Sequence, residues 1–122
     1  RGQQAPPRGP GAGNGTGRHP LDDPRVQVHI EDGRYFLETT RRRFDLITGE
    51  PPPPKMAGIV SLYTREYFSL IYDRLTEGGI ASYWLPGHLL SPDDSKSIIR
   101  AFCDVFQALV KKAVRIVKLW WW

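Results

Sequence analysis

Four consecutive prolines, Pro51 to Pro54, divide this chain at its most constrained point. Just before them stands a short apolar run, Phe44-Asp45-Leu46-Ile47-Thr48, followed by Gly49 and Glu50. An apolar run of this length, bounded by glycine and prolines, predicts a buried strand. Proline cannot donate to a ladder, so the chain must leave the sheet at Glu50. A carboxylate at the carboxyl end of a buried strand stands where open α/β sheets place their ligands. The same acid also fits a plain polar strand end ahead of a rigid loop.

At 122 residues the chain has room for one domain with a small core. Residues 1–20 are rich in glycine and proline and nearly devoid of apolar side chains, so we expect them to be disordered. Their glycine run, Gly11 to Gly17, lacks the preceding strand and following helix that a nucleotide-binding loop needs. An α/β domain is expected over 21–110, then a basic, tryptophan-rich end over 111–122. The net charge of +4 is carried by the ends: without Arg1, Arg8, Arg18, Lys111, Lys112, Arg115 and Lys118, the middle is at −3. Nucleic acid is therefore not an expected partner of the body. A single cysteine, Cys103, rules out an internal disulfide and a CxxC site, and it suits a reducing, cytoplasmic setting. No apolar run reaches transmembrane length.

Along the chain, Arg25 to Glu31 alternates with period two and is expected to be a strand. It ends at Asp32-Gly33, again an acid beyond a strand. A short helix from Gly33 to about Thr40 follows, with Tyr35, Phe36 and Leu37 turned inward; Asp32 is either its N-cap or a ligand-binding acid. Arg41-Arg42-Arg43 suits the negative end of that helix. Lys55 to Ser61 reads as a loop. Thr64 to Thr76 is a helix with Thr64 as N-cap and Tyr67, Phe68, Ile71, Tyr72 and Leu75 on its apolar face, stopped by Gly78-Gly79. Ile80 to Leu85 is a further strand. Ser91-Pro92-Asp93-Asp94 opens a last helix, whose apolar face is Ile98, Ile99, Phe102, Val105, Phe106 and Leu109, with Cys103 at its border as a small hydrophobe. Alternating strands and helices imply a parallel sheet. The end, Val110 to Trp122, fits a last strand, a basic helical extension or a segment lying on a membrane surface.

Taken together, Asp32-Gly33, the strand Phe44 to Ile47 with an acid three residues on, Leu62-Tyr63-Thr64-Arg65-Glu66-Tyr67-Phe68, and Leu75-Thr76-Glu77-Gly78-Gly79-Ile80 resemble the spermidine synthase (polyamine aminopropyltransferase) family. The resemblance runs from about Asp22 to Phe106. It implies a partial Rossmann-like, class I methyltransferase-like fold. It implies aminopropyl transfer from decarboxylated S-adenosylmethionine to a polyamine. By the same resemblance Asp32 and Gly33 contact the adenine, Glu50 takes the proton of the attacking amine, and Tyr63 lines the acceptor side. The sulfonium is itself the electrophile, so no metal is called for.

This chain departs from that pattern in three places. Glu50 is one methylene longer than the family's usual aspartate, and Pro53 stands where a second acid would anchor the far amine. Loss of such an anchor is worth about 1.5–3 kcal/mol. The glycine-rich first strand and the ribose-binding acid have no counterpart before Asp22. The expectation is therefore a partial domain, inactive by itself, whose open sheet edges favour self-association. The alternatives are a methyltransferase using S-adenosylmethionine, or a non-catalytic module completed by a partner or a membrane through Trp120-Trp121-Trp122.

Overall fold

The computed structural model describes residues 19–108. The expected disorder of residues 1–18 and the three readings of Val110 to Trp122 lie outside the described residues. The chain divides into two units, Arg1–Ile30 and Glu31–Trp122. In the first, a 3-10 turn at Pro20–Asp22 leads to a local clasp in which Arg25 donates to both carboxylate oxygens of Asp23, at 3.0 and 2.7 Å. This pairing holds the Asp23 carboxyl below its usual range. Residues 25–31 form no strand, contrary to the alternation in the sequence. A strand persists only where a ladder accepts it, and the described sheet is made of two other segments.

In the second unit, α1 (Gly33–Thr39), β1 (Phe44–Gly49), α2 (Arg65–Arg74), β2 (Leu75–Tyr83) and α3 (Pro92–Ala108) follow in order. β1 and β2 pair in parallel, in register from Leu46↔Ile80 to Gly49↔Tyr83. The result is an α/β arrangement, a parallel pair of strands flanked by helices, consistent with part of a Rossmann-like fold.

Each helix begins where its cap residue allows. Asp32 accepts the Tyr35 amide hydrogen at 2.9 Å, so the capping alternative for Asp32 is realised. Thr64 accepts from the Tyr67 amide at 3.3 Å, and Ser91 from the Asp94 amide at 3.1 Å. The C-terminal end of α1 is served from elsewhere than expected. Arg41 to Arg43 lie beyond the helix, and Arg74 of α2 donates to the Leu37 carbonyl at 2.8 Å. A guanidinium there satisfies an orphan carbonyl and opposes the helix dipole.

Gly78-Gly79 does not end α2. The helix stops at Arg74, and β2 runs from Leu75 through both glycines. The register shifts between Phe44 and Leu46, so the segment around these glycines bulges out of the ladder. Gly78 has a φ of 76°, which a side chain resists. The expected loop 55–61 closes into a 3-10 turn at Ile59–Tyr63.

The core is the apolar face predicted for α2, packed on α3 and β2. Phe68, Ile71 and Leu75 are buried, as are Tyr67 and Tyr72. Phe68 meets Tyr83 edge-on at 5.2 Å and Phe102 at 5.0 Å, while Phe102 stacks on Phe106 at 4.2 Å. Cys103 is partly buried beside an apolar cavity of about 70 Å³ formed with Phe68, Tyr83 and Phe102. Of the residues expected inward on α1, Leu37 is buried and Phe36 half-buried, but Tyr35 is exposed. β1 is likewise only half-buried: Asp45, Leu46 and Thr48 are exposed. Helices among the described residues cover only part of it, so its apolar composition did not translate into burial.

Candidate functional site

The two acids singled out from the sequence stand at the starts of two different segments. Asp32 precedes α1, and Glu50 follows β1. The surroundings of Glu50 are built from the core outward. Tyr83 packs its ring across Gly49: a Cβ at Gly49 would meet that ring at 2.4 Å, so only glycine fits. The Tyr83 hydroxyl donates to the Leu62 carbonyl at 2.6 Å, and the Trp84 amide to the Gly49 carbonyl at 2.9 Å. The strand end is thereby tied to β2 and to the turn before α2.

Tyr63 completes the clamp. Its ring meets Tyr83 edge-on at 5.8 Å. Its hydroxyl lies 3.1 Å from the carbonyls of both Pro51 and Pro52, to which it donates. Proline carbonyls have no ladder to enter here, and a buried phenol needs an acceptor, so each satisfies the other. Burial pushes the Tyr63 phenol up to about 12 and raises that of Tyr83 further. Both therefore stay protonated donors. Glu50 itself is exposed, and no hydrogen bond or ion pair joins it to another described residue.

Gly33, next to Asp32, faces a different hollow. Gly33, Phe36 and Leu37 line it with Phe44, Ile47 and Tyr67, around a volume of about 360 Å³. Tyr67 links the two halves. Its ring lies 6.2 Å from Tyr83, and its phenol is raised by burial and then by the Asp32 charge, with Arg34 opposing. Gly33 and β1 thus share one hollow, while Tyr63 is joined to the segment just after Glu50. No hydrogen bond joins Asp32, Glu50 and Tyr63 to one another: Asp32 accepts from Tyr35, and Tyr63 donates to the proline carbonyls. Among the described residues, no three or more His, Cys, Asp or Glu side chains gather as a metal site would require, and no helix is long and apolar enough to cross a membrane.

The family model for the spermine/spermidine synthase domain matches residues 12–121. The chain belongs to this family. The match extends past both limits, Asp22 and Phe106, of the motif resemblance. The polyamine aminopropyltransferase of Nitrosomonas europaea is 27% identical over 103 residues, covering 84% of this chain and 31% of that protein. Its counterpart from Alkaliphilus oremlandii is 37% identical over 96 residues, 72% of this chain and 34% of that protein. Polyamine aminopropyltransferase 1 of Pseudomonas aeruginosa is 39% identical over 60 residues, 49% of this chain and 21% of that protein. The chain spans about a third or less of the length of these curated relatives. No solved structure matches it.

Two parts of the clamp around Gly49 and the proline loop were not singled out from the sequence. Tyr83 was read only as a strand residue, and nothing local distinguishes it; the sole trace is the glycine before Glu50 that makes room for its ring. The proline carbonyls carry no side-chain signal at all.

Proposed function

We propose that this chain carries part of an aminopropyltransferase site, moving an aminopropyl group from decarboxylated S-adenosylmethionine to a polyamine acceptor. The observation that carries this reading is the grip of the Tyr63 hydroxyl on the Pro51 and Pro52 carbonyls, which holds the segment just after Glu50 at the carboxyl end of β1.

In this reading a neutral amine of the acceptor attacks the aminopropyl carbon next to sulfur. The new C–N bond forms as the C–S bond breaks, and its electron pair goes to sulfur, leaving neutral methylthioadenosine. The ammonium so formed gives its proton to the Glu50 carboxylate. Glu50 also attracts the cationic acceptor, and in-line placement supplies most of the remaining advantage. Asp32 accepts from the adenine amine with the oxygen that the Tyr35 amide does not use, and Gly33 lets the base approach. A reducing, cytoplasmic setting suits the single thiol.

The described sheet has two strands, and the hollow beside Gly33 offers one wall of a nucleotide pocket. We therefore expect this 122-residue chain to bind the nucleotide but not to turn it over. Calorimetry should find decarboxylated S-adenosylmethionine bound more tightly than S-adenosylmethionine, and weakened binding in Asp32→Ala. Tighter binding of the carboxylated nucleotide would favour a methyltransferase instead. Incubation with the decarboxylated nucleotide and putrescine should release no methylthioadenosine; robust release would overturn the expected inactivity.

A further inference from the structure

The proline loop has a second flank. Pro54, Lys55, Tyr63, Leu90, Asp94 and Ile98 line a groove there of about 540 Å³, walled by the loop on one side and the first turns of α3 on the other. Asp94 is the one carboxylate and Lys55 the one cation among its described lining residues. The Asp94 carboxylate is held in place: Ser91 Oγ donates to its Oδ2 at 2.7 Å, while the Asp94 amide donates back to Ser91 Oγ. It stands in the first turn of α3, where the helix dipole favours the ionised form. A carboxylate with one such bond keeps further lone pairs for another donor. Pro54, Leu90 and Ile98 add an apolar wall suited to a methylene chain. Tyr63, on the same lining, donates to the Pro51 and Pro52 carbonyls, so the groove adjoins the segment that follows the proposed proton acceptor.

We infer that Asp94 binds the distal ammonium of a linear diamine acceptor, supplying from α3 the anion that Pro53 does not supply from the loop after β1. This rests on the aminopropyltransferase reading above. Lys55 shares the groove and repels the same ligand, so the two residues act in opposite directions on one affinity.

The test is calorimetric binding of putrescine to the full chain at low ionic strength, where exposed charges are least screened. Asp94→Asn keeps an acceptor for Ser91 and should weaken putrescine binding by about tenfold or more. Asp94→Glu should retain most of the affinity. Lys55→Gln should tighten binding by roughly twofold to threefold, a gain that misfolding cannot imitate. Putrescine affinity unchanged in both Asp94→Asn and Lys55→Gln overturns the role of this groove. If decarboxylated S-adenosylmethionine still binds in that case, the functional reading survives without it. If neither ligand binds the unaltered chain, both fall together.

Discussion

Two acid–glycine pairs flank the candidate site, and they are held in opposite ways. At Gly49-Glu50 the glycine is filled: the Tyr83 ring occupies the space a side chain would need. At Asp32-Gly33 the glycine is open, and a Cβ there would meet nothing within 4 Å. The first pair is buttressed by the aromatic core through Tyr83, Phe68 and Phe102. The second is positioned by local hydrogen bonds alone, from the Tyr35 amide to the Asp32 carboxylate and from the Phe36 amide to the Asp32 carbonyl. A proton acceptor has to be aligned closely with the reacting amine, whereas an adenine contact tolerates a looser frame. The glycine at 49 answers to packing, and the one at 33 is free to answer to a ligand.

The severest way to break the contrast is Phe68→Ala. Phe68 is fully buried at the centre of the aromatic cluster, and its loss should cost about 3–5 kcal/mol. Chemical denaturation would read this directly; a loss below 1 kcal/mol would mean the cluster does not hold the β1 end. Gly49→Ala should cost about 1–3 kcal/mol through overpacking against Tyr83. Relief by a second change, Tyr83→Ala, would tie the cost to that ring, and additive effects would sever it.

Alkali probes the same side. The Tyr63 phenol is pushed from its ordinary 10.0 up to about 12 by burial. Above pH 10 the unfolded chain releases a proton that the folded chain keeps, so stability falls as pH rises through that window. Melting temperature should be level below pH 10 and drop between 10 and about 12, with delayed tyrosinate absorbance. An alkaline profile unaltered by Tyr63→Phe would remove the assignment.

Smaller effects belong to the other pair. Asp32→Ala should cost about 1 kcal/mol by uncapping α1, and Asp32→Asn should be nearly neutral. Gly33→Ala should leave stability unchanged or raise it by roughly 0.5 kcal/mol. If it also weakens nucleotide binding, the glycine is retained for the ligand; a clear loss of stability instead would show that Gly33 is as crowded as Gly49.

Local chemistry in the sequence located the helices and the strand before the prolines. Thr64 and Ser91 cap α2 and α3; the apolar positions of α2 are buried, as are Phe102, Val105 and Phe106 of α3, with Ile98 and Ile99 half-buried, because caps and a 3.6-residue period are properties of neighbouring residues. The same local logic misread Gly78-Gly79 as a helix stop. Two glycines announce conformational freedom, but a bulge and a helix end both use it. Arg25 to Ile30 has the alternation of a strand without being one, since pairing is a contribution of other segments.

The sequence alone determined where the chain must turn and which acids end its segments: prolines forbid a ladder, and capping side chains fix helix starts within a few residues. It also determined the family, through motifs whose spacing survives without coordinates. Only the tertiary structure decided that Tyr83 fills the space over Gly49, that Tyr63 is bound to proline carbonyls, and that Asp94 lines the groove beside it. Those contacts join residues 11 to 34 positions apart, and proximity across such separations arises from packing rather than from any local preference.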